Sequence, residues 1–402
     1  MFPSYKKNLE NNIKNITIVV TLRNFILFTA VIIPFFQSLG LNFFQIMLVE
    51  TAFAITVLIM EVPSGYLADK FGRKKIIIAG TFFSFVGMLN YSFATTFELF
   101  IISEILIGLG CSFISGADSA LLYDSLIELK KEDEYKKIEG RREALRTTSI
   151  GLAALLSGFF AMFSFRYNFY ITTIAAFASF LFALKLTETK TCCSTSSTIK
   201  VKFSTVLKET IKHKELMLMI IFSAIIFGFS TAHYFMSQQF LVLINTPLIL
   251  IGIIFATANF AVAYLSLIAH KIEAKIGLIK SMLLASFFVA ISFFILGAVP
   301  TLVGIIGVYT YQFARGIRTP IVKDFINKRT VSSIRATILS LDGFIGRGLF
   351  VLVAPIIGYF TTIIGFEKAS ILFSIVVIIG LLAIVILLKQ KLDLERNNPS
   401  KS

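Results

Sequence analysis

The residues of this sequence that could do chemistry are charged groups set where hydrocarbon is expected. The densest set is GYLADKFGRKK, residues Gly65 to Lys75. It combines two glycines (Gly65, Gly72), one carboxylate (Asp69) and four cations (Lys70, Arg73, Lys74, Lys75), with Glu61 one turn upstream. Long apolar runs flank it on both sides, so it lies where the chain leaves a bilayer, and its basic character places it on the cytoplasmic side. Such groups make and break ion pairs. Covalent catalysis inside a membrane needs a nucleophile with a base, or a metal set, on facing helices. The three histidines, His213, His233 and His270, are scattered, and no His-Glu-x-x-His occurs. Cys111, Cys192 and Cys193 have no metal-ligand spacing. No phosphate-binding Gly-x-x-x-x-Gly-Lys-Ser/Thr loop is present. The chain reads as a protein that is not an enzyme and uses neither cofactor nor metal.

Other ionisable residues interrupt the apolar runs, each at a cost of a few kcal/mol. Arg23 lies ~9 Å from the inner end of its run, a depth from which it can snorkel or face a cavity. Glu50 lies at a similar depth from an outer end, where a wet vestibule would account for it. Asp118 is deeper and is a candidate proton carrier, because burial raises a carboxyl pKa. Asp124 is expected at the interface, paired with Arg141, Arg142 or Arg146. His233 is either a rim histidine or a titratable coupling group, and Tyr234 and Gln238 accompany it. The segment YTYQFARGIRTP supplies Tyr311, Gln312 and Arg315 to a cavity, with Arg318 nearer the interface. Asp342 and Arg347 are five residues apart and point to different faces. Arg347 is therefore expected to find a carboxylate on another helix.

The elements that must hold these groups are membrane helices. The chain has 402 residues, 56% hydrophobic and only 15% charged, with a mean hydropathy of +0.84. Soluble domains carry about 25% charged residues. Runs of ~20 apolar residues fall near 17–37, 44–64, 76–95, 99–123, 144–164, 168–186, 216–243, 248–269, 280–298, 301–321, 334–359 and 368–388. All but four of the 38 Lys and Arg residues (Arg23, Arg166, Arg347, Lys368) fall at one set of loops and termini. That asymmetry places both termini in the cytoplasm. It also argues against nucleic acid as the reason for a net charge of +15. The polar stretch 187–214 divides the chain into six-span bundles at 1–186 and 215–389, with a tail at 390–402.

The Gly65–Lys75 stretch resembles the signature loop between helices 2 and 3 of the major facilitator superfamily, matching at Gly65, Leu67, Ala68, Asp69, Lys70, Gly72, Arg73, Lys74 and Lys75. The preceding Glu61-Val-Pro-Ser-Gly65 is similar to a variant found in many bacterial members. The resemblance implies an all-α polytopic fold of twelve transmembrane helices, built as two six-helix bundles related by pseudo-twofold symmetry around a midplane site. It implies that Asp69 and Arg73 form an inner latch, with Glu61, Gly65 and Gly72 in the gate, and that Pro63 and Gly65 let the helix end bend. Lining from helices 1, 4, 7 and 10 would come from Arg23, Asp118, His233, Tyr234, Gln238, Tyr311, Gln312 and Arg315. Glu50, Asp118, Asp342 and Arg347 are the buried-charge or coupling candidates. The loop at 269–280 looks like a decayed second copy of the signature.

Subfamily signals are weaker. Drug–proton antiporters usually carry a Gly-Pro-x-x-Gly-Gly type motif in helix 5 and an arginine in helix 4. Here helix 5 reads GLAALLSGFF, and helix 4 has no arginine. No Pro-Glu-Ser-Pro-Arg sugar-transporter signature follows span 6. The expected function is proton-coupled movement of a small organic solute by alternating access, with export favoured over uptake or uniport. A non-transporting receptor on the same fold is the remaining alternative. The compact chain, without long outer loops, looks like a monomeric bacterial inner-membrane protein.

Overall fold

A computed structural model describes residues 3–190, 213–330 and 332–397. These residues are almost wholly α-helical, with no strand among them. With no water to satisfy backbone groups in the bilayer, helices are one of only two ways for a chain to cross it. The first half runs α1 (Pro3–Arg23), α2 (Ile32–Ser38), α3 (Phe43–Phe71), α4 (Arg73–Phe93), α5 (Phe97–Ile114), α6 (Ala117–Leu129), α7 (Tyr135–Phe163) and α8 (Phe165–Leu184). The second runs α9 (Lys214–Leu243), α10 (Leu248–Ile276), α11 (Leu278–Ala298), α12 (Ile306–Arg329), α13 (Ser332–Ile364) and α14 (Phe366–Asn397). Most of the polar 187–214 stretch, including Cys192 and Cys193, and the end of the tail lie outside the described residues.

Among the described residues, eleven stretches are long and apolar enough to span a membrane. The tenth expected span, α12, has the length, but Arg315, Arg318 and Lys323 keep it from qualifying on composition. Several helices run past the expected membrane boundary. α3 continues through Pro63 and Gly65 to Phe71 as one helix. α7 begins at Tyr135, well before its apolar part, because YKKIEGRREALR is rich in helix-forming Lys, Arg, Glu and Ala.

Two spans are discontinuous. Span 1 stops at Arg23, runs through non-helical Asn24–Ile26, and resumes in a short 3₁₀ turn at Leu27–Ala30 before α2. Four carbonyls next to this break, where a helix end leaves acceptors open, find donors. Val19 O accepts from Ser179 Oγ, Val20 O from the Asn24 amides, Thr21 O from Ser149 Oγ, and Leu22 O from Phe25 N. The freed N–H of Leu27 donates to Thr172 Oγ1 at 3.1 Å. Span 4 breaks at Ser115–Gly116, where Gly116 adopts φ +80°.

By packing, the described residues form two compact units. One draws on Met1–Leu39, Ala52–Ile199 and Pro247–Ala256; the other draws on Gly40–Thr51, Lys200–Thr246 and Thr257–Ser402. In the first unit, α4 and α5 cross at Gly80 and Gly110. A Cβ on Gly110 would stand 2.6 Å from Gly80 O. Small residues allow this approach where lipid offers no hydrophobic drive to association. An aromatic cluster of Phe28, Phe35, Phe36, Tyr91, Phe100 and Phe169 fills the region between spans 1, 3, 4 and 6. In the second unit, α9 is the central helix, buried along most of its length.

Candidate transport and gating residues

The signature loop is organised by a residue from outside it. After Phe71 the chain turns at Gly72, with φ +97° and ψ 143°, and α4 begins at Arg73. The first N–H groups of α4 lack intrahelical partners. Glu188, just past α8, supplies them: Oε1 accepts from Arg73 N at 3.2 Å and Oε2 from Lys74 N at 3.0 Å. A carboxylate here also meets the positive end of the helix dipole. A Cβ at residue 72 would collide with Glu188 Oε2 and lie 3.0 Å from its Cδ, so the glycine is what admits the carboxylate. Asn12, fully buried, holds the same strand of chain: its Nδ2 donates to Thr187 O at 2.8 Å, and its Oδ1 accepts from Thr187 N at 2.8 Å. Tyr5 donates to Glu128 Oε2 at 2.7 Å.

Arg73, expected to form an inner latch with Asp69, is engaged by α6. Arg73 Nη1 pairs with Asp124 Oδ2 of α6 and donates to Ala120 O at 2.8 Å. Asp124 was expected to meet Arg141, Arg142 or Arg146; the fold brings Arg73 to it instead. Asp69 itself is exposed on α3. Glu61 is half-buried, and Gly65 faces open space, with nothing within 4 Å of a built Cβ. Asp118, the deep carboxylate of span 4, sits in the first turn of α6 and pairs with Arg142 Nη1 at 3.0 Å; Arg142 also meets Glu139 and Ser119. The signature-loop end of the first unit is thus a set of interlocked ion pairs.

Arg23 ends α1 at the break, and its Nη2 lies 3.0 Å from Cys111 Sγ on α5, one turn before the break in span 4. A cation at a helix C-terminus is favoured by the dipole. Two interrupted helices are therefore bridged by a half-buried guanidinium. Glu50, on α3, is also half-buried.

In the second unit, His233 and Tyr311 are fully buried, with ring centroids 4.4 Å apart. His233 Nδ1 contacts Ser237 Oγ at 3.1 Å. Gln238 and Gln312 are buried, and Tyr234 is half-buried. Gln312 Oε1 accepts from Arg315 Nη1 at 3.2 Å. Arg318, expected nearer the interface, is largely buried within the unit. Its side chain is 14% exposed and faces Asp342 at 3.7 Å. Arg347 lies back along α13 over Gly343, its Nη2 3.5 Å from where a Cβ there would stand.

Three contacts are not foreseen from the sequence. Glu188 reads as an ordinary loop acid. Glu104, in span 4, is buried and accepts from Tyr91 OH at 2.9 Å inside the aromatic cluster. Arg166, at the start of α8, donates to Tyr91 O, Ser92 O and Ala94 O at the end of α4. The available signal for the last two was a charge within or beside an apolar run.

Helices that break inside the membrane, together with charges held at membrane depth, define a polytopic α-helical transport protein. The family model of the Major Facilitator Superfamily matches residues 16–349, and the chain belongs to that family, whose members are transporters rather than enzymes. The MFS-type transporter YxaM of Bacillus subtilis is 24% identical over 375 residues, covering 91% of this chain and 92% of that one. Multidrug resistance protein 2 of Bacillus subtilis is 33% identical over 190 residues, 45% of this chain and 46% of that one. The crystal structure of the nucleoside transporter NupG superposes with a TM-score of 0.78 at 14% identity, covering 93% of this chain and 99% of that one; it shares the fold.

Proposed function

We propose that this chain is a monomeric secondary transporter of the bacterial inner membrane, with both termini cytoplasmic, that moves a small organic solute by alternating access coupled to protons. The observation that carries the reading is the pair of broken spans, 1 and 4, bridged near their breaks by Arg23. Charged groups beside unwound membrane helices are how membrane proteins build a site for a polar solute. The inner gate consists of the Glu61–Arg73 region closed by Asp124 and Glu188, with Gly65 and Asp69 at the end of α3 and Gly72 at the turn. Asp118 is committed to Arg142, which fits gating better than proton carriage. Asp342, held 3.7 Å from its arginine, is the stronger coupling candidate, with Glu50 second. Export is the favoured direction, supported by the Glu-x-Pro-Ser-Gly variant and by a relative named for multidrug resistance.

The test uses sealed vesicles with an imposed pH gradient and an internal pH dye, with solutes added one at a time to wild type, Asp118→Asn and Asp342→Asn. Solute-triggered proton movement that survives in Asp118→Asn and disappears in Asp342→Asn is the expected result. Solute movement without any dye response would remove proton coupling. Silence in both would favour a receptor.

A further inference from the structure

Helix α12 carries two guanidiniums three residues apart, Arg315 and Arg318, which places them on neighbouring positions of one face. Arg315 is exposed although it lies well inside a membrane-length helix. A guanidinium at that depth faces water, not lipid. Arg318, one turn further, rests over the Phe227 ring with its guanidinium carbon 5.2 Å from the centroid. The carboxylate facing it, Asp342 of α13, stands 3.7 Å from Nη2. That is an ion-pair distance but too long for a hydrogen bond. Arg318 Nε and Asp342 Oδ1 are both buried and without a hydrogen-bond partner among the described residues. Buried polar atoms almost always have partners, so each exception asks what fills it. Arg318 therefore keeps a buried donor that Asp342 leaves unsatisfied, and a second guanidinium, Arg315, stands three residues away on the same helix.

We infer that this face of α12 receives the negative group of a small organic anion, a carboxylate or phosphate monoester. A planar guanidinium binds either group with two parallel hydrogen bonds. Asp342 aims Arg318 and competes with the arriving anion for it. The inference rests on the transporter reading above and adds the class of solute.

The full chain in phosphatidylcholine nanodiscs would be titrated with monocarboxylates, dicarboxylates and phosphate monoesters, each alongside its neutral amide or alcohol. At least one anion should bind where its neutral counterpart does not. Arg318→Gln should weaken that binding at least about tenfold, the loss of one charge-assisted contact, and Arg318→Lys should restore part of it. Asp342→Asn should strengthen binding, and this gain does not depend on Arg318→Gln folding. Anion binding at wild-type affinity in both Arg318→Gln and Asp342→Asn overturns the inference. So does retention of neutral or cationic solutes alone, which leaves the transporter reading standing. Failure of every solute to bind or to cross vesicles overturns both. Loss of soluble-anion binding when phosphatidylglycerol replaces phosphatidylcholine assigns the site to lipid headgroups and also overturns it.

Discussion

Replacing Gly72 with alanine tests whether Glu188 holds the start of α4. Two costs arise. The backbone at residue 72, φ +97° and ψ 143°, is a region that only glycine occupies readily, and forcing a Cβ there costs about 1–3 kcal/mol. The new Cβ would also collide with Glu188 Oε2. The carboxylate must retreat by roughly half an ångström or more, which stretches its 3.0 Å bond to Lys74 N toward the ~3.5 Å limit of a useful hydrogen bond. Losing a carboxylate cap of this kind costs about 1–2 kcal/mol. Glu188→Ala should therefore cost only that second amount, and Gly72→Ala the sum. In the double variant the clash has no object and the cap is lost only once. The two substitutions should thus be non-additive by about 1–2 kcal/mol. The assay is thermal unfolding in detergent, read by a fluorogenic maleimide reacting with half-buried Cys111 in a Cys192→Ser, Cys193→Ser background. A unit of this size shifts by about 2–4 °C per kcal/mol. Strict additivity within a degree would refute the contact between Gly72 and Glu188 as the reason for the glycine.

Gly110→Ala places a methyl 2.6 Å from Gly80 O and 2.8 Å from Ser84 N. Backbone cannot yield as a side chain can, so the folded monomer peak in size-exclusion chromatography should fall sharply, while Gly140→Ala, with open space around it, should leave it unchanged. Arg166→Gln leaves the three carbonyls at the end of α4 short of a charged donor. It should cost about 1–2 kcal/mol in the same maleimide assay, with Arg166→Lys recovering part of the loss. Asn12→Ala removes both hydrogen bonds to Thr187 and should increase protease cleavage between α8 and α9, measured against Asn12→Asp, which keeps the acceptor.

The spans were legible because hydrocarbon imposes a simple rule: about 20 apolar residues per crossing. Helix ends were harder to read, since Lys, Arg, Glu and Ala carry α7 helically beyond the membrane. Pro63 does not end its helix: the long α3 runs through it. The interruption of span 1 had no local mark. Residues 24–31 contain neither glycine nor proline, and the break is maintained by Ser149, Thr172 and Ser179, more than a hundred residues away in sequence. Span 4 was easier, because Gly116 takes a conformation that glycine favours. For the ion pairs, residue type was readable and partner identity was not. Asp124 had three arginines close by in sequence, yet Arg73 reaches it, because the packing of α4 on α6 decides which cation arrives. The Glu188 cap was invisible for the same reason.

The interruption at Asn24–Ile26 makes α1 a lever. Its 21 residues reach about 31 Å from the break. A pivot of ~10° about that point would carry the far end, with Tyr5 and Asn12 along it, by roughly 5 Å, a distance comparable to one helical turn. Three carbonyls at the fulcrum, of Val19, Val20 and Thr21, accept from side chains, so the backbone ladder is already interrupted there. A displacement of atomic size near Arg23 would thus grow along α1 toward Asn12, which grips the chain leading to Glu188, and grow further at Tyr5.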